Sequence, residues 1–252
     1  MSQIDPLPLD LTDRIPQEIF DEVAAFAKEG NLESLKNFSL VSHLWEVSTR
    51  PLRFSYLDFN PDLMYGIITG KHRACQRILP CVQRARFTFN PVGLEKEVSA
   101  IYLRMLKLRE LVFLETSAQL VLLLSGIPEV SRHITTLVLN EVDGFPSFGA
   151  LQRAIASFPG LQTLSMTDNR GSSTEYCEGG VEAEFVVPHN LKKATIKRMA
   201  CYRCISRILS WLALRSDTIR YIEADGFLEL SKFTRVETLI IGPCTCGLPQ
   251  MT

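Results

Sequence analysis

A short apolar motif recurs along most of this 252-residue chain and constrains its fold more than any other feature. In each copy, one apolar residue is followed by others three and five positions later. The copies start at Phe54, Val82, Leu108, Ile134, Leu161, Leu191, Ile219 and Val236. The differences between successive starting positions are 28, 26, 26, 27, 30, 28 and 17, and all but the last fit a repeat of one strand and one helix. A period of this length predicts stacked supersecondary units.

The segments between the motifs have the spacing of amphipathic helices. Apolar residues share one helical face in three of them: Val98, Ile101, Tyr102 and Met105; Leu151, Ile155 and Phe158; and Ile205, Ile208, Leu209 and Leu212. A strand, a crossover helix and a further strand at this period predict a parallel sheet backed by helices. The alternative is an ordinary doubly wound α/β domain, which the shared pattern of the eight strand cores disfavours.

The motif resembles a degenerate leucine-rich repeat that lacks the usual asparagine. The resemblance implies an α/β solenoid with a parallel curved sheet, in which no repeat buries its apolar side alone. The acidic, glycine-rich residues 168–190 interrupt the repeats and predict a long loop, which is either functional or mobile. The final step, from Ile219 to Val236, is the shortest and leaves no room for a full helix.

The motif also predicts which side chains face the core. The third and fifth positions after each start point inward, and the fourth points to the open, concave face, because side chains alternate along a strand. The predicted concave row is Asp58, Arg86, Val112, Val138, Ser165, Thr195, Glu223 and Ile240. The six residues from Arg86 to Glu223 are our candidates for binding a target protein. The adjacent Val112 and Val138 indicate either a partner site or the β-propensity of valine.

The first fifty residues have the pattern of three short helices. Pro16 suits a first helical turn, and Gly30 is a natural stop. The apolar residues between them recur at helical spacing: Ile19, Phe20, Val23, Phe26 and Ala27. Ser42 is placed to cap a third helix, which carries Trp45. Helices this short bury little surface alone, so they either cap the following repeats or offer an apolar face to another protein.

The order of Ile15-Pro16, Ile19-Phe20, Leu40-Val41 and Trp45 resembles an F-box of the fungal type, although many members have leucine at the position of Ile15. The resemblance covers about residues 13–54. It implies docking to the Skp-type linker protein of a cullin–RING ubiquitin ligase. The docking residues implied by position are Ile15, Pro16, Ile19, Phe20, Leu40, Val41 and Trp45. Trp45 is also a candidate for holding the three helices together.

Composition excludes several classes of function. With 27 basic and 28 acidic residues, the net charge is −1, so the chain lacks the basic surplus that nucleic-acid binding requires. The longest apolar run, residues 120–124, is far shorter than the roughly 20 residues of a membrane-spanning helix. The N-terminus lacks the basic and apolar regions of a signal peptide. We therefore expect a cytoplasmic or nuclear protein whose seven cysteines are free thiols.

The sequence offers little catalytic chemistry. Cys201 and Cys204 have the spacing of a redox pair, but they share one helical face with Ile205 and Ile208, which predicts burial. Pairing them with Cys244 and Cys246 as a zinc site is disfavoured, because only one residue separates the second pair. Residues 66–72 have one residue too few for a phosphate loop. We expect no catalytic residues, no metal and no cofactor.

These observations predict a flexible tail at residues 1–12, an F-box at 13–53, a leucine-rich-repeat-like domain at 54–241 and a frayed tail at 242–252. The expected function is that of a substrate-recognition adaptor, with a Skp-type linker and an unidentified target protein as partners. The alternative is a binding scaffold without a role in ubiquitin transfer, in which the N-terminal helices only cap the repeats.

Overall fold

The computed structural model describes residues 16–30, 32–40, 43–90, 92–167, 186–199, 202–215, 217–225 and 233–242. The chain divides into two compact units, Met1–Tyr56 and Leu57–Thr252. The tail predicted at residues 1–12, residues 168–185 of the loop predicted at 168–190, and residues 243–252 of the tail predicted at 242–252 lie outside the described residues. Gly242 belongs to the last strand of the sheet and not to the tail, because it pairs with Asp225 of the preceding strand.

The first unit contains three helices, α1 (Gln17–Gly30), α2 (Leu32–Ser39) and α3 (His43–Arg53). Helix α1 starts directly after Pro16 and ends at Gly30, as the sequence predicts. The small core between the helices is formed by Phe20, Ala24 and Leu35. Among the residues of this unit whose burial the structure describes, these three are the only buried apolar side chains.

The second unit alternates strands with helices. Its strands are β1 (Tyr56–Phe59, which begins at the last residue of the first unit), β2 (Arg84–Phe87), β3 (Glu110–Leu114), β4 (Thr136–Asn140), β5 (Thr163–Thr167), β6 (Lys193–Lys197), β7 (Tyr221–Asp225) and β8 (Thr238–Gly242). Its helices are α4 (Pro61–Ile68), α5 (Arg73–Ile78), α6 (Glu95–Tyr102), α7 (Ala118–Ser125), α8 (Pro128–Ser131), α9 (Phe148–Ala156) and α10 (Tyr202–Leu212). Two short 3₁₀ helices follow α5 and α10, at Leu79–Cys81 and Ala213–Arg215.

The eight strands form one sheet in the order of the sequence, from β1 to β8. The pairs from β2 to β8 are parallel, and paired residues lie 26, 26, 27, 30, 28 and 17 positions apart along the chain. These are the steps that the sequence motif predicts. The result is a mixed α/β, solenoid-like fold. The doubly wound alternative is wrong, because strands in sequence order leave no point at which the strand order reverses.

One hydrogen-bond arrangement recurs at the start of each paired strand. A single carbonyl oxygen accepts two successive backbone N–H groups from the next repeat. Thus the Arg109 carbonyl accepts from Thr135 (2.8 Å) and Thr136 (3.1 Å). The same bifurcated acceptor occurs at Gln83, Thr135, Gln162, Lys192 and Arg220. Each of these residues follows a motif start by one position, so the arrangement fixes the register of every pair from β2 to β8.

The motif positions face the core as predicted in six of the eight copies. The prediction is wrong for Ile241, the fifth position of the last copy, which is 50% exposed, because no described strand follows β8 to cover it. The start, third and fifth residues are all buried in the six repeats that begin at residues 82, 108, 134, 161, 191 and 219. At the fifth position, Phe59 and Phe87 stack with ring centroids 4.9 Å apart, and Phe87 and Phe113 with centroids 5.7 Å apart. Burying three aromatic rings in one stack contributes a large share of the hydrophobic stabilisation at this end of the sheet.

The helices share this core. The predicted helical faces are buried at Val98, Ile101 and Tyr102 in α6, at Leu151 and Ile155 in α9, and at Ile205, Ile208, Leu209 and Leu212 in α10. Residues 66–72, the segment compared with a phosphate loop, begin inside a helix, because Gly66 lies in the last turn of α4. Within the described ranges, every helix is too short or too polar to traverse a lipid bilayer.

Gln152 on α9 is the least expected member of the core. Its side chain is 0% exposed, and neither its Oε1 nor its Nε2 atom has a hydrogen-bond partner among the residues that the structure describes. A buried amide without partners costs about 1–3 kcal/mol of stability. We therefore predict that Gln152→Met, which keeps the length of the side chain, raises the free energy of unfolding by about 1–2 kcal/mol. Urea unfolding followed by circular dichroism measures this change.

The matched control is Gln119→Met on α7. Gln119 is exposed, so this substitution should change the free energy of unfolding by less than about 0.5 kcal/mol. A loss of stability in Gln152→Met would contradict the prediction and would mean that the amide is hydrogen-bonded in solution.

Candidate functional site

Helix α1 carries an exposed apolar surface. Pro16, Ile19, Val23 and Phe26 recur at intervals of three, four and three residues, which places them on one face of the helix. All four are exposed, with Ile19 at 48% and Phe26 at 78%. We call these four residues the α1 stripe. Large apolar side chains in contiguous exposed positions are typical of surfaces that bind another protein.

The side of α1 next to the stripe holds the three helices together. Phe20 is only 1% exposed, and its ring meets the Trp45 ring edge to face, with centroids 4.7 Å apart. Trp45 also stacks on Phe38 of α2 at 4.9 Å. These three rings link all three helices, and Trp45 lies at their centre. Helix α1 thus packs with one face and exposes another.

Polar contacts reinforce this packing. Gln17 of α1 donates a hydrogen bond to Ser48 of α3, and Arg53 of α3 donates one to Ser39 of α2. The Thr49 hydroxyl, which is buried, donates to the Trp45 carbonyl at 2.7 Å. The orientation of the α1 stripe is therefore fixed by contacts outside the stripe.

The predicted docking residues fall into three groups. Pro16, Ile19 and Leu40 are exposed, and Leu40 reaches 78%. Phe20 is buried and Trp45 half-buried, so both hold the three helices together more than they contribute exposed surface. Ile15 and Val41 lie outside the described residues.

The structure adds Val23 and Phe26 to the exposed apolar surface of the first unit. The sequence shows that both fall at helical spacing with Ile19 and Phe20. That spacing does not distinguish the two faces, because Ile19 and Phe20 are neighbours on the helix. Spacing from Pro16 does not separate them either, because Ile19 follows it by three residues and Phe20 by four. The packing of α2 and α3 against Phe20 decides which face is exposed.

The predicted row of fourth positions forms a continuous line across the sheet of the second unit. Its members from Arg86 to Ile240 are direct partners in the register of neighbouring strands: Arg86, Val112, Val138, Ser165, Thr195, Glu223 and Ile240. We call these residues, with Asp58, the open-face row. Most of them are partly exposed, but Val112 is only 8% exposed. The two valines therefore differ in solvent exposure, and Val138 is the more exposed of the two.

Charged side chains pair at both ends of the row. At the first end, Arg86 forms an ion pair with Asp58, and Arg84 forms one with Glu110 at 3.2 Å. At the other end, Lys197 forms an ion pair with Glu223 at 2.5 Å. The centre of the row, Val138, Ser165 and Thr195, has short uncharged side chains. The open face thus has a neutral centre between two ion-paired ends.

The pair at β6 and β7 belongs to a larger cluster. Tyr221 donates a hydrogen bond to Glu223 at 3.1 Å, and the Lys193 ammonium lies 4.3 Å from the centroid of the Tyr221 ring. The hydrogen bond from Lys197 lowers the pKa of Glu223, and the same bond raises the pKa of Lys197. Desolvation, followed by the hydrogen bond to Glu223, raises the pKa of Tyr221. At neutral pH, Glu223 is therefore negative, Lys197 positive and Tyr221 uncharged.

The loops that follow three of the strands share one backbone conformation. Glu115, Glu141 and Arg198, each directly after a strand, have positive φ angles of 51°, 52° and 49°. Non-glycine residues adopt this conformation rarely. Here the N–H groups of Glu115 and Glu141 each donate to a carbonyl of the next repeat at 3.0 Å. Arg198 donates instead to the carboxylate of Asp225 at 2.7 Å.

A shallow pocket of about 320 Å³ lies at this edge of the sheet. It is lined by Asn90, Glu115, Thr116, Ser117, Glu141 and Asp143. The described residues contain no group of three or more histidine, cysteine or acidic side chains arranged to hold a metal ion. The acidic pocket therefore lacks the geometry of a metal site.

The three described cysteines form no disulfide with one another. Cys204 is buried on α10, as the sequence predicts, while Cys75 and Cys81 are half-buried, and desolvation raises the pKa of Cys75. A raised pKa disfavours the reactive thiolate. Cys201, Cys244 and Cys246 lie outside the described residues, so the predicted burial of Cys201 is not tested.

No family model matches this chain, and no curated protein shows significant similarity to it.

We predict that Lys197→Met raises the pKa of Glu223, because the hydrogen bond that lowers it most is lost while desolvation remains. The lowered pKa stabilises the fold above the pKa of Glu223 in the unfolded chain. That contribution disappears as the pH falls through the lower, folded pKa. In Lys197→Met, this acid-dependent loss should shrink and be complete at a higher pH, because the folded pKa lies closer to the unfolded one. Titration of the Glu223 carboxyl carbon by NMR measures the shift.

Lys192→Met is the matched control, because Lys192 is an exposed neighbour of the same strand that makes no contact with Glu223 among the described residues. It should leave the pKa of Glu223 close to its value in the unmodified protein. An unchanged pKa in Lys197→Met would show that the ion pair does not persist in solution.

Proposed function

We propose that this protein is a substrate-recognition adaptor of a cullin–RING ubiquitin ligase. The first unit would act as an F-box that docks a Skp-type linker protein, and the second, as a leucine-rich-repeat-like domain, would hold a target protein. The observation that carries the proposal is the α1 stripe, an apolar surface exposed on a small helical unit. The resemblance of residues 13–54 to an F-box identifies the class of partner.

The physical argument rests on what the first unit buries. Its core is small, and domains of such a size usually gain stability from a partner. An amphipathic helix that presents apolar residues at i, i+3 and i+7 suits a groove on another protein. The rings of Phe20, Phe38 and Trp45 hold α1 rigid. A rigid apolar surface binds at lower entropic cost than one that must order on binding.

The second unit supports the target-binding part of the proposal. Stacked repeats present a long row of side chains in fixed register, which is how repeat proteins build binding surfaces. The open-face row offers short side chains at its centre and ion-paired side chains at its ends. In the proposed adaptor, uncharged parts of a target would contact Val138, Ser165 and Thr195.

The proposed mechanism requires no chemistry from this chain. An adaptor accelerates ubiquitin transfer by keeping the target near a charged enzyme that the ligase complex supplies. Tethering raises the effective concentration of the target's lysines at that enzyme. The residues needed from this chain are therefore those that bind and orient other proteins.

We predict that Ile19→Asp and Phe26→Asp each weaken capture of a purified Skp-type linker protein by about 30-fold or more, because a charge replaces an exposed apolar anchor. Both side chains are exposed, so circular dichroism should show the same folded content as in the unmodified protein. Surface plasmon resonance or calorimetry measures the affinity.

Leu106→Asp provides the matched control. Leu106 is nearly as exposed as Phe26, at 70%, but lies in the second unit, so its substitution should leave capture of the linker unchanged. The proposal would be overturned if the unmodified protein did not bind the linker, or if all three variants bound it equally well.

Deleting residues 1–50 tests the scaffold alternative. An adaptor with an independent first unit should leave the repeats folded, with a cooperative thermal transition near that of the full chain. If the helices served only as a cap, the deletion would expose the end of the apolar core, and the transition would fall or broaden. Differential scanning calorimetry of both proteins distinguishes these results.

A further inference from the structure

The exposed surface of α1 has an apolar part and an acidic part. Glu22 follows Ile19 by three residues and precedes Phe26 by four, so it lies beside both on the helix surface. Glu18 precedes Glu22 by four residues and continues the same line. Both carboxylates are exposed. We call Glu18 and Glu22 the acidic edge of the α1 stripe.

The acidic edge is not neutralised within the described part of the chain. No ion pair there joins Glu18 or Glu22 to a lysine, arginine or histidine. Arg50 of this unit, for example, forms its ion pair with Glu46, at 2.6 Å. A partner that covers the stripe must therefore lie against two carboxylates that no described cation neutralises, and its own charges decide whether that contact is favourable.

A second copy of this chain is a poor occupant of the stripe. An antiparallel pairing of two α1 stripes would bring the four carboxylates of the two acidic edges to the same side of the contact. A parallel pairing would place one acidic edge on each side, and neither the stripe nor its edge contains a cation to neutralise it. Like charges in such a contact oppose association. The charge pattern thus favours a different protein over self-association.

We infer that the occupant of the α1 stripe is an apolar groove bordered along one side by lysine or arginine side chains. This inference rests on the proposed function and specifies the chemistry of the linker surface that meets α1. The apolar contact supplies most of the affinity. The basic border sets the direction in which α1 lies in the groove, because reversing the helix would move Glu18 and Glu22 to the opposite side.

The test compares the binding of a purified Skp-type linker protein by the full chain and by two double variants. Glu18→Gln/Glu22→Gln removes the charges with little change of shape, and Glu18→Lys/Glu22→Lys reverses them. At about 50 mM salt, we expect binding to weaken about threefold in the first variant and about tenfold or more in the second. Raising the salt to about 300 mM should weaken binding of the unmodified protein and reduce these differences, because ions screen exposed charges.

The matched control is Glu97→Lys/Glu129→Lys. Both carboxylates are exposed on helices of the second unit, and the net charge changes by the same amount. This control should bind the linker as the unmodified protein does. A loss of affinity equal to that of Glu18→Lys/Glu22→Lys would show an effect of net charge alone and would overturn the inference.

The remaining outcomes separate this inference from the proposed function. If the linker binds, Ile19→Asp abolishes binding, and Glu18→Lys/Glu22→Lys binds as well as or better than the unmodified protein, the basic border is wrong while the docking role stands. If the linker does not bind the unmodified protein, both fail. Self-association that Phe26→Asp removes would identify a second copy as the occupant and would also overturn the inference.

Discussion

The bifurcated carbonyl at the start of each paired strand is the constraint on which the second unit depends. Each of these oxygens accepts two N–H groups from the next repeat, so the register between neighbours is fixed at one point. Once that point is set, alternation along the strand sends the third and fifth positions to the core and the fourth to the open face. A slip of one residue would reverse every side chain, exposing residues such as Leu137 and Leu139 that are now 0% exposed. Register and core burial therefore enforce each other, repeat after repeat.

The first unit follows a different principle. Its helices are held by three aromatic rings and a few polar contacts, and one side of α1 remains apolar and exposed. In the sheet, the apolar side chains at inward positions from β2 to β7 are buried between repeats, and the last strand departs from this, with Ile241 at 50% exposed among the described residues. In the helical unit, Ile19 and Phe26 meet no equivalent neighbour. This contrast is the physical reason why, in the proposed function, the first unit binds the Skp-type linker protein and the second unit binds the target protein.

The sequence predicted the repeat architecture well because periodicity and burial coincide there. Motif starts such as Leu108 and Ile134 gave the strand register to the residue, and the order of the strands followed. The sequence predicted the helical unit less completely. Ile19 and Phe20 are adjacent and similar in hydrophobicity, yet one is exposed and the other buried, and only the positions of α2 and α3 decide which. Val112 and Val138 occupy equivalent positions, but their different burial depends on neighbouring side chains that a motif does not encode.

The charged cluster on β6 and β7 shows how long-range pairing escapes a single sequence. Lys197 and Glu223 lie in different repeats, and the longest step of the repeat array precedes β6. Their contact arises because the register places Lys197 diagonally across from Glu223, with Tyr221 on the same face. A target that binds at this end of the open face must replace or accommodate the ion pair between Lys197 and Glu223. A target that contacts the short side chains of Val138, Ser165 and Thr195 has no ion pair to replace. In the proposed adaptor, contact area would therefore come from the neutral centre, and discrimination between targets from the charged ends, where a mismatched charge costs more than a mismatched shape.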